Sequence, residues 1–246
     1  MQLYYDFHLH SCLSPCGSED MTPYNLVQMA ALQGMDVIAL TDHNTCLNCP
    51  AAMEVGKEAG IAVVPGMELT TSEEAHVVCL FPALENALAF DTLVYSRLPA
   101  IDNRPDIFGE QWVMDAGDGI TGTLSKLLIN AADISLAEIV DLLRDYDGFC
   151  FPAHIDKNAY SILASLGDFP PEFGFQAAEI SANGNAEELV ARYPVLGSMP
   201  LLCSSDAHYL EHIRPAGPWI EASDNSPAAI IDALRNGCTW SRAQDV

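Results

Sequence analysis

The chain has 246 residues, half of them hydrophobic, which is enough for one compact α/β domain over residues 1–246. Its 34 acidic against 10 basic side chains leave a formal charge of -24, so a nucleic-acid backbone would meet a repulsive field and no nucleic-acid partner is expected. Phosphate remains admissible as a substrate, because clustered metal cations reverse the field inside one pocket. The start, MQLYYDF, has neither a basic n-region nor a long apolar h-region, and no apolar stretch approaches the ~18–20 residues of a membrane span. A cytoplasmic protein with no membrane partner is expected, its eight irregularly spaced cysteines reduced.

In chain order, short apolar runs at 3–10, 37–41, 62–68, 76–80, 148–152, 178–180 and 201–205 read as seven strands. Helix-like segments alternate with them, the pattern of βα units in a mainly parallel sheet or barrel. Thr22-Pro23 opens the first helix and Gly34 follows its end, while Gly60 closes the second. Ser135 and Glu138 have capping-box spacing ahead of an apolar face of Leu136, Ile139, Val140 and Leu143, and Ser226-Pro227 starts a last helix. Residues 99–130 break the alternation. Their Asp115-Ala-Gly-Asp-Gly119 turn, flanked by 111–114 and 120–123, predicts an inserted hairpin: a lid, a dimer contact or a solvated excursion.

Of seven histidines, six fall at or just past a predicted strand's C-terminal end: His8, His10, His43, His76, His154 and His208. Strand C-termini of a parallel α/β sheet converge on one face, so these imidazoles are expected in one pocket. Asp6, Asp42, Glu68 and Asp206 stand in the same places, and imidazole with carboxylate is a ligand set for Zn, Mn or Fe ions. His8 and His10 project from one strand face and can reach one ion; Asp206 and His208 repeat that spacing. His212 lies outside the pattern and reads as an ordinary surface or core histidine.

These motifs, Asp6-Phe-His8-Leu-His10-Ser, Thr41-Asp42-His43-Asn44, Pro65-Gly-Met-Glu68, an isolated His76, Pro152-Ala-His154-Ile-Asp156 and Ser204-Ser-Asp206-Ala-His208, resemble the polymerase-and-histidinol-phosphatase (PHP) family. They cover most of the chain in family order. The resemblance implies a distorted (βα)7 barrel with two or three divalent metal ions at its C-terminal face, hydrolysing phosphate esters. It implies that His8, His10, Glu68 and Asp206 hold one ion, with Glu68 bridging to a second held by His76 and His154. A third would take His43, His208 and a residue after His10. There the family's usual Asp or His is replaced by Ser14-Pro-Cys16-Gly17, which leaves Cys16 as a thiolate ligand, with Glu19 or Asp20 as the alternatives.

The expected reaction is hydrolysis of a small phosphorylated molecule, of the nucleotide or sugar phosphate class, by a metal-bound hydroxide. Glu68, Asp206 and His208 are the expected catalytic residues, the last two as candidates for proton transfer. Asp42 is expected to orient a ligand imidazole by accepting its hydrogen bond. Asn44, Lys157, Arg192 and Arg214 are candidate phosphate contacts, with a solvated surface role as the alternative for each. The alternative function is a regulatory PHP-like module that binds metal and ligand without turnover. A polymerase-linked exonuclease is disfavoured by the acidity, and Cys46-x-x-Cys49 reads as neither a zinc nor a redox motif because no second ligand pair accompanies it.

Overall fold

A computed structural model describes residues 1–241. The order is β1 (Gln2–Leu9), α1 (Pro23–Leu32), β2 (Val37–Leu40), α2 (Cys49–Ala59), β3 (Ala62–Thr70), β4 (His76–Leu80), α3 (Leu84–Arg97) and α4 (Pro105–Phe108). There follow β5 (Trp112–Met114), β6 (Ile120–Thr123), α5 (Leu136–Arg144), β7 (Phe149–Pro152), α6 (Ile162–Leu166), β8 (Ala178–Ile180), α7 (Ala186–Arg192), β9 (Leu201–Cys203), β10 (Trp219–Glu221) and α8 (Pro227–Asn236). The result is a mixed α/β fold whose main sheet, β10-β1-β2-β3-β4-β7, curls into half a barrel.

Three strands, β1, β2 and β3, run parallel as the alternation predicts. The fourth does not. Only residues 71–75 join β3 to β4, too few for the crossover a parallel pair needs, so β4 returns antiparallel with Thr70 opposite His76. His76 therefore begins its strand instead of ending it, and reaches the common face because β4 starts where β3 stops. β7 is antiparallel to β4 and so runs in the sense of β3, delivering His154 to the same end. The parallel pair β8–β9 meets the main sheet beyond β7, through Ile155 N to Glu179 O (2.8 Å), and at the end of β1, through a bridge between Leu9 and Ala207.

Alternation along the strands sorts the core. Leu3, Tyr5, Phe7, Val37, Ala39, Phe149 and Phe151 share one cluster with Ile230, Ile231 and Leu234 of α8. Leu9, Ile38, Leu40, Val77 and Cys79 point the other way, onto α1, α2 and α3. Each fully buried Phe or Leu contributes ~1.5–3 kcal/mol. Cys46, Cys49, Cys79 and Cys150 are buried free thiols, Cys49 directed at Leu40 O and Gly66 O. Gly66 is required where β3 crowds β4: a Cβ there would meet Cys79 O at 2.6 Å.

Thr22 caps α1 as its sequence predicts, accepting from Asn25 N at 3.1 Å. At α5 the capping box is incomplete, because the Ser135 hydroxyl donates to the Glu138 carboxylate and accepts nothing from the backbone. β10, three residues with no alternating pattern, escaped the sequence reading; it lies antiparallel on the edge of β1.

β5 and β6 pair only with each other. Their base is tied down by Gln111, fully buried, which donates to Leu124 O and Lys126 O and accepts from Leu128 N. Asn48 joins them to the histidine loops, accepting from Met114 N and donating to Trp112 O and Ser11 Oγ. No described helix is long and apolar enough to cross a membrane.

Candidate metal centre

Glu68, buried in β3, is the hub. Its Oε1 lies 2.8 Å from His76 Nδ1, 3.1 Å from His8 Nε2 and 3.2 Å from His154 Nε2; its Oε2 lies 3.0 Å from His43 Nδ1 and 3.3 Å from His10 Nε2. Asp206 Oδ1 faces the same rings, 3.3 Å from His10 Nε2 and 3.5 Å from His8 Nε2. Donor atoms converge in three groups: His8, His10, Glu68 and Asp206; His43, Glu68 and His76; and His10, His43 and His208.

The first group reproduces the set implied for the first ion. In the second, His43 takes the place expected for His154, whose ring still contacts Glu68. The third gathers His43 and His208 with His10, whose ring stacks on His208 at 4.1 Å. Cys16 is not among the converging donors of that group but lies beside it on an exposed loop, its thiol facing the His43 ring. The loop itself is fixed, since Gly17 N donates to Ser14 O and Ser18 N to His208 O.

These residues fit divalent cations. The buried nitrogens His8 Nε2, His10 Nε2, His43 Nδ1, His76 Nδ1 and Nε2, and His154 Nδ1 make no aligned hydrogen bond, although four of them face carboxylate oxygens at close range. Unsatisfied buried imidazole nitrogens are costly, and convergence on shared carboxylates is how ligands are held ready. His154 (φ 30), Asp206 (φ 53) and Asn44 (φ 54) occupy the left-handed region at the loops that carry them, a local strain of the kind that collects at functional sites.

The protein's own charges set the titrations. Burial disfavours the charged His8 ring, yet Glu179, Glu68 and Asp206 hold its pKa well above the usual imidazole value. Burial is likewise overcome at His10, raised to about 9 by Asp206 and Glu68, and at His43, raised to about 9 mainly by Glu68. Burial would raise Glu68, but His76, His8 and His43 keep it well below the carboxylate range. Asp206 is depressed by His8 and His10 against its burial. His208 falls to about 3 through burial and the nearby His10, and burial also lowers His76. Cations bound by these rings would have to displace the protons that the carboxylates hold on His8, His10 and His43.

Asp42 does not touch an imidazole. It accepts from Ser11 N (2.7 Å), Ser11 Oγ (2.6 Å) and Ser14 Oγ (2.7 Å), and Ser14 Oγ in turn meets His10 Nδ1 at 3.0 Å. Its hold on His10 passes through Ser14 because the carboxylate is spent on the loop. Asp6 likewise serves the backbone, accepting from His8 N and Ser205 N, and burial lifts it to about 6.

Among the candidate phosphate contacts, Asn44 is buried and fully engaged: it donates to Leu128 O and Asn130 O and accepts from Thr70 N. It joins the end of the 99–130 segment to β3 and has no group left for a ligand. Lys157 reaches the centre, its Nζ 2.5 Å from Asp206 Oδ2. Arg192 lines a cleft of about 440 Å³ with Lys157, its guanidinium over the Tyr193 ring. Arg214 lies elsewhere, in a crevice of about 80 Å³ beside Asp6 and Ser205.

Sequence reasoning missed Glu179. It is buried on β8, with Oε1 3.0 Å and Oε2 3.1 Å from His8 Nδ1, and Oε1 also accepts from His154 N at 3.1 Å. The signal was a lone acid inside the apolar run Ala177-Ala-Glu-Ile180.

The description of the PHP domain matches residues 6–160, well over half of the chain. The chain belongs to the PHP family. This PHP protein is 38% identical over 79 residues to a 5'-3' exoribonuclease of Haemophilus influenzae, covering 31% of this chain and 28% of the relative. It is 37% identical over 65 residues to a phosphoribosyl 1,2-cyclic phosphate 1,2-diphosphodiesterase of Eggerthella lenta, covering 26% and 24%. It therefore spans only about a quarter of the length of these curated relatives. Its fold resembles the lesion-specific endonuclease Q of Pyrococcus furiosus, with a TM-score of 0.72 and 17% identity over 98% of this chain and 57% of that one.

The exclusion of nucleic acids on net charge is overturned. One curated relative is named an exoribonuclease, and a further structural neighbour is an endonuclease Q in complex with a 27-mer duplex substrate. Formal charge describes the outer surface, whereas cations inside a pocket decide the field a phosphate meets.

Proposed function

We propose that this PHP protein hydrolyses phosphate esters at the Glu68 centre. One observation carries the reading: a buried carboxylate with five imidazoles within 2.8–3.3 Å of its two oxygens. Divalent ions, Zn, Mn or Fe, supply Lewis acidity and lower the pKa of water there. His8, His10, Glu68 and Asp206 hold one ion; Glu68, His76 and His154, with His43 beside them, hold a second. His10, His43 and His208 offer a third position, with Cys16 as its thiolate donor.

Lys157 brings a positive charge to the edge of the first group, where it binds a non-reacting phosphate oxygen. Asp206 and His208 are the groups placed to move a proton, His208 because it is neutral near pH 7. In this reading β8–β9 completes a distorted (βα)7 ring, residues 1–246 form one domain, and the β5–β6 hairpin is an insertion in it. The substrate is a nucleotide or sugar phosphate or the end of a nucleic-acid strand.

The test strips the protein with chelator, reloads it with Mn²⁺, Zn²⁺ or Fe²⁺, and assays p-nitrophenyl phosphate, its bis ester, a nucleotide panel and a short 5'-phosphorylated RNA. Metal-dependent turnover of any ester supports the proposal. Stoichiometric metal with no turnover of any of them overturns it in favour of a metal- and ligand-binding regulatory module.

A further inference from the structure

Glu179 meets two ligand-bearing elements at once. Both carboxylate oxygens face His8 Nδ1, which leaves His8 Nε2 directed at Glu68 and Asp206. A carboxylate at one ring nitrogen fixes the tautomer, so the lone pair belongs to the other nitrogen. The same residue holds the turn at His154 through two successive amides: Oε1 accepts from His154 N, and the Glu179 carbonyl accepts from Ile155 N at 2.8 Å. His154 is the residue at φ 30, a conformation that a side chain with a Cβ keeps only when its surroundings enforce it. His8 and His154 rings stack 5.8 Å apart, and both reach Glu68 Oε1.

Charge points the same way. Two dications among neutral imidazoles are met only partly by Glu68 and Asp206, and a third buried carboxylate one ring away offsets part of the excess without occupying a coordination position.

We infer that Glu179 is a positioning residue shared by two ion sites, orienting His8 for one and the strained His154 turn for the other, so that the two ions bind as a coupled pair. This rests on the Glu68 centre holding metal, though not on its turning over an ester.

Metal affinity is measured by chelator competition with Zn²⁺ and with Mn²⁺ on the full chain, for the parent, Glu179→Gln, Glu179→Asp, His154→Ala and the Gln/Ala double variant. Glu179→Gln keeps size and one acceptor, and is expected to weaken first-ion affinity ~10–100-fold, the range for losing a ligand's outer carboxylate. Its metal-free melting temperature stays within a few degrees of the parent's. Glu179→Asp, which retains charge, falls between the two and serves as the reporter should the Gln variant not fold. The double variant is expected to lose less than the product of the two single losses. Glu179→Gln within threefold of the parent, or a double variant whose losses multiply, overturns the inference. Normal metal coupling with no hydrolysis of any ester sinks the proposed activity and leaves the role of Glu179 standing.

Discussion

Lys157 Nζ lies 2.5 Å from Asp206 Oδ2 on the rim of the histidine cluster, where burial would weaken the ammonium but Asp206 raises its pKa. It is a cation that the surrounding acidity cannot replace. Lys157→Ala should keep its metal content and lower kcat/KM for a phosphate ester by ~10²-fold, the size expected for one charged donor at a developing anion. Atomic absorption beside steady-state kinetics checks this; an unchanged kcat/KM removes Lys157 from substrate binding.

Glu68→Gln should abolish both metal retention and hydrolysis while the fold persists. A neutral amide cannot satisfy the five imidazoles that face the carboxylate, so the loss exceeds the ~10–100-fold typical of an outer partner. Circular dichroism and metal analysis decide it, and parental metal content would show that Glu68 does not bridge.

Cys16 offers a spectroscopic test. If its thiolate completes the His10, His43 and His208 position, the Co²⁺-loaded protein carries a near-ultraviolet sulfur-to-cobalt charge-transfer band that Cys16→Ser removes, together with one ion. Glu19→Ala and Asp20→Ala should leave the band intact. Equal Co²⁺ stoichiometry in the Ser variant means that the sulfur is not a ligand.

Asp91 on α3 holds the loop that follows His43, its Oδ1 accepting from Thr45 Oγ1 and Cys46 N at 2.7 Å each. Burial raises its pKa, with those hydrogen bonds opposing. A raised carboxyl favours the folded state at acid pH, and that advantage fades as pH climbs from the ordinary range near 4 through the raised value. Stability of Asp91→Asn should therefore gain on the parent as pH rises from about 4 through the raised value, and Asp91→Ala should lose ~1–3 kcal/mol through its unpaired donors. Urea unfolding at several pH values checks the slope; a parent-to-Asn difference that does not vary with pH refutes it.

The hairpin should divide at its base. Shortening the Asp115–Gly119 turn to Asn-Gly should change stability by less than ~0.5 kcal/mol, because that turn is largely exposed. Gln111→Ala should cost ~1–3 kcal/mol by leaving Leu128 N, Leu124 O and Lys126 O without their partner. Equal melting temperatures for the two variants would make Gln111 as dispensable as the tip.

Local pattern alone was enough for the parallel run of β1, β2 and β3, the single face shared by His8 and His10, and the gathering of Glu68 and Asp206 with those rings. Strand periodicity fixes which face a side chain takes, and residue type fixes its donors, so neither depends on distant chain. The antiparallel turn of β4 was equally open to reading in the five residues between Thr70 and His76, where the regular βα alternation concealed it. What only the tertiary structure decided are the pairings across the fold. Glu179 stands 171 residues from the His8 it contacts, Asp42 reaches His10 only through Ser14, and Asn44 is consumed by Leu128 and Asn130. A buried polar group's partner is set by where the strands and loops close on one another, and that closure depends on the packing of both core clusters together, which leaves no periodic trace in the local sequence.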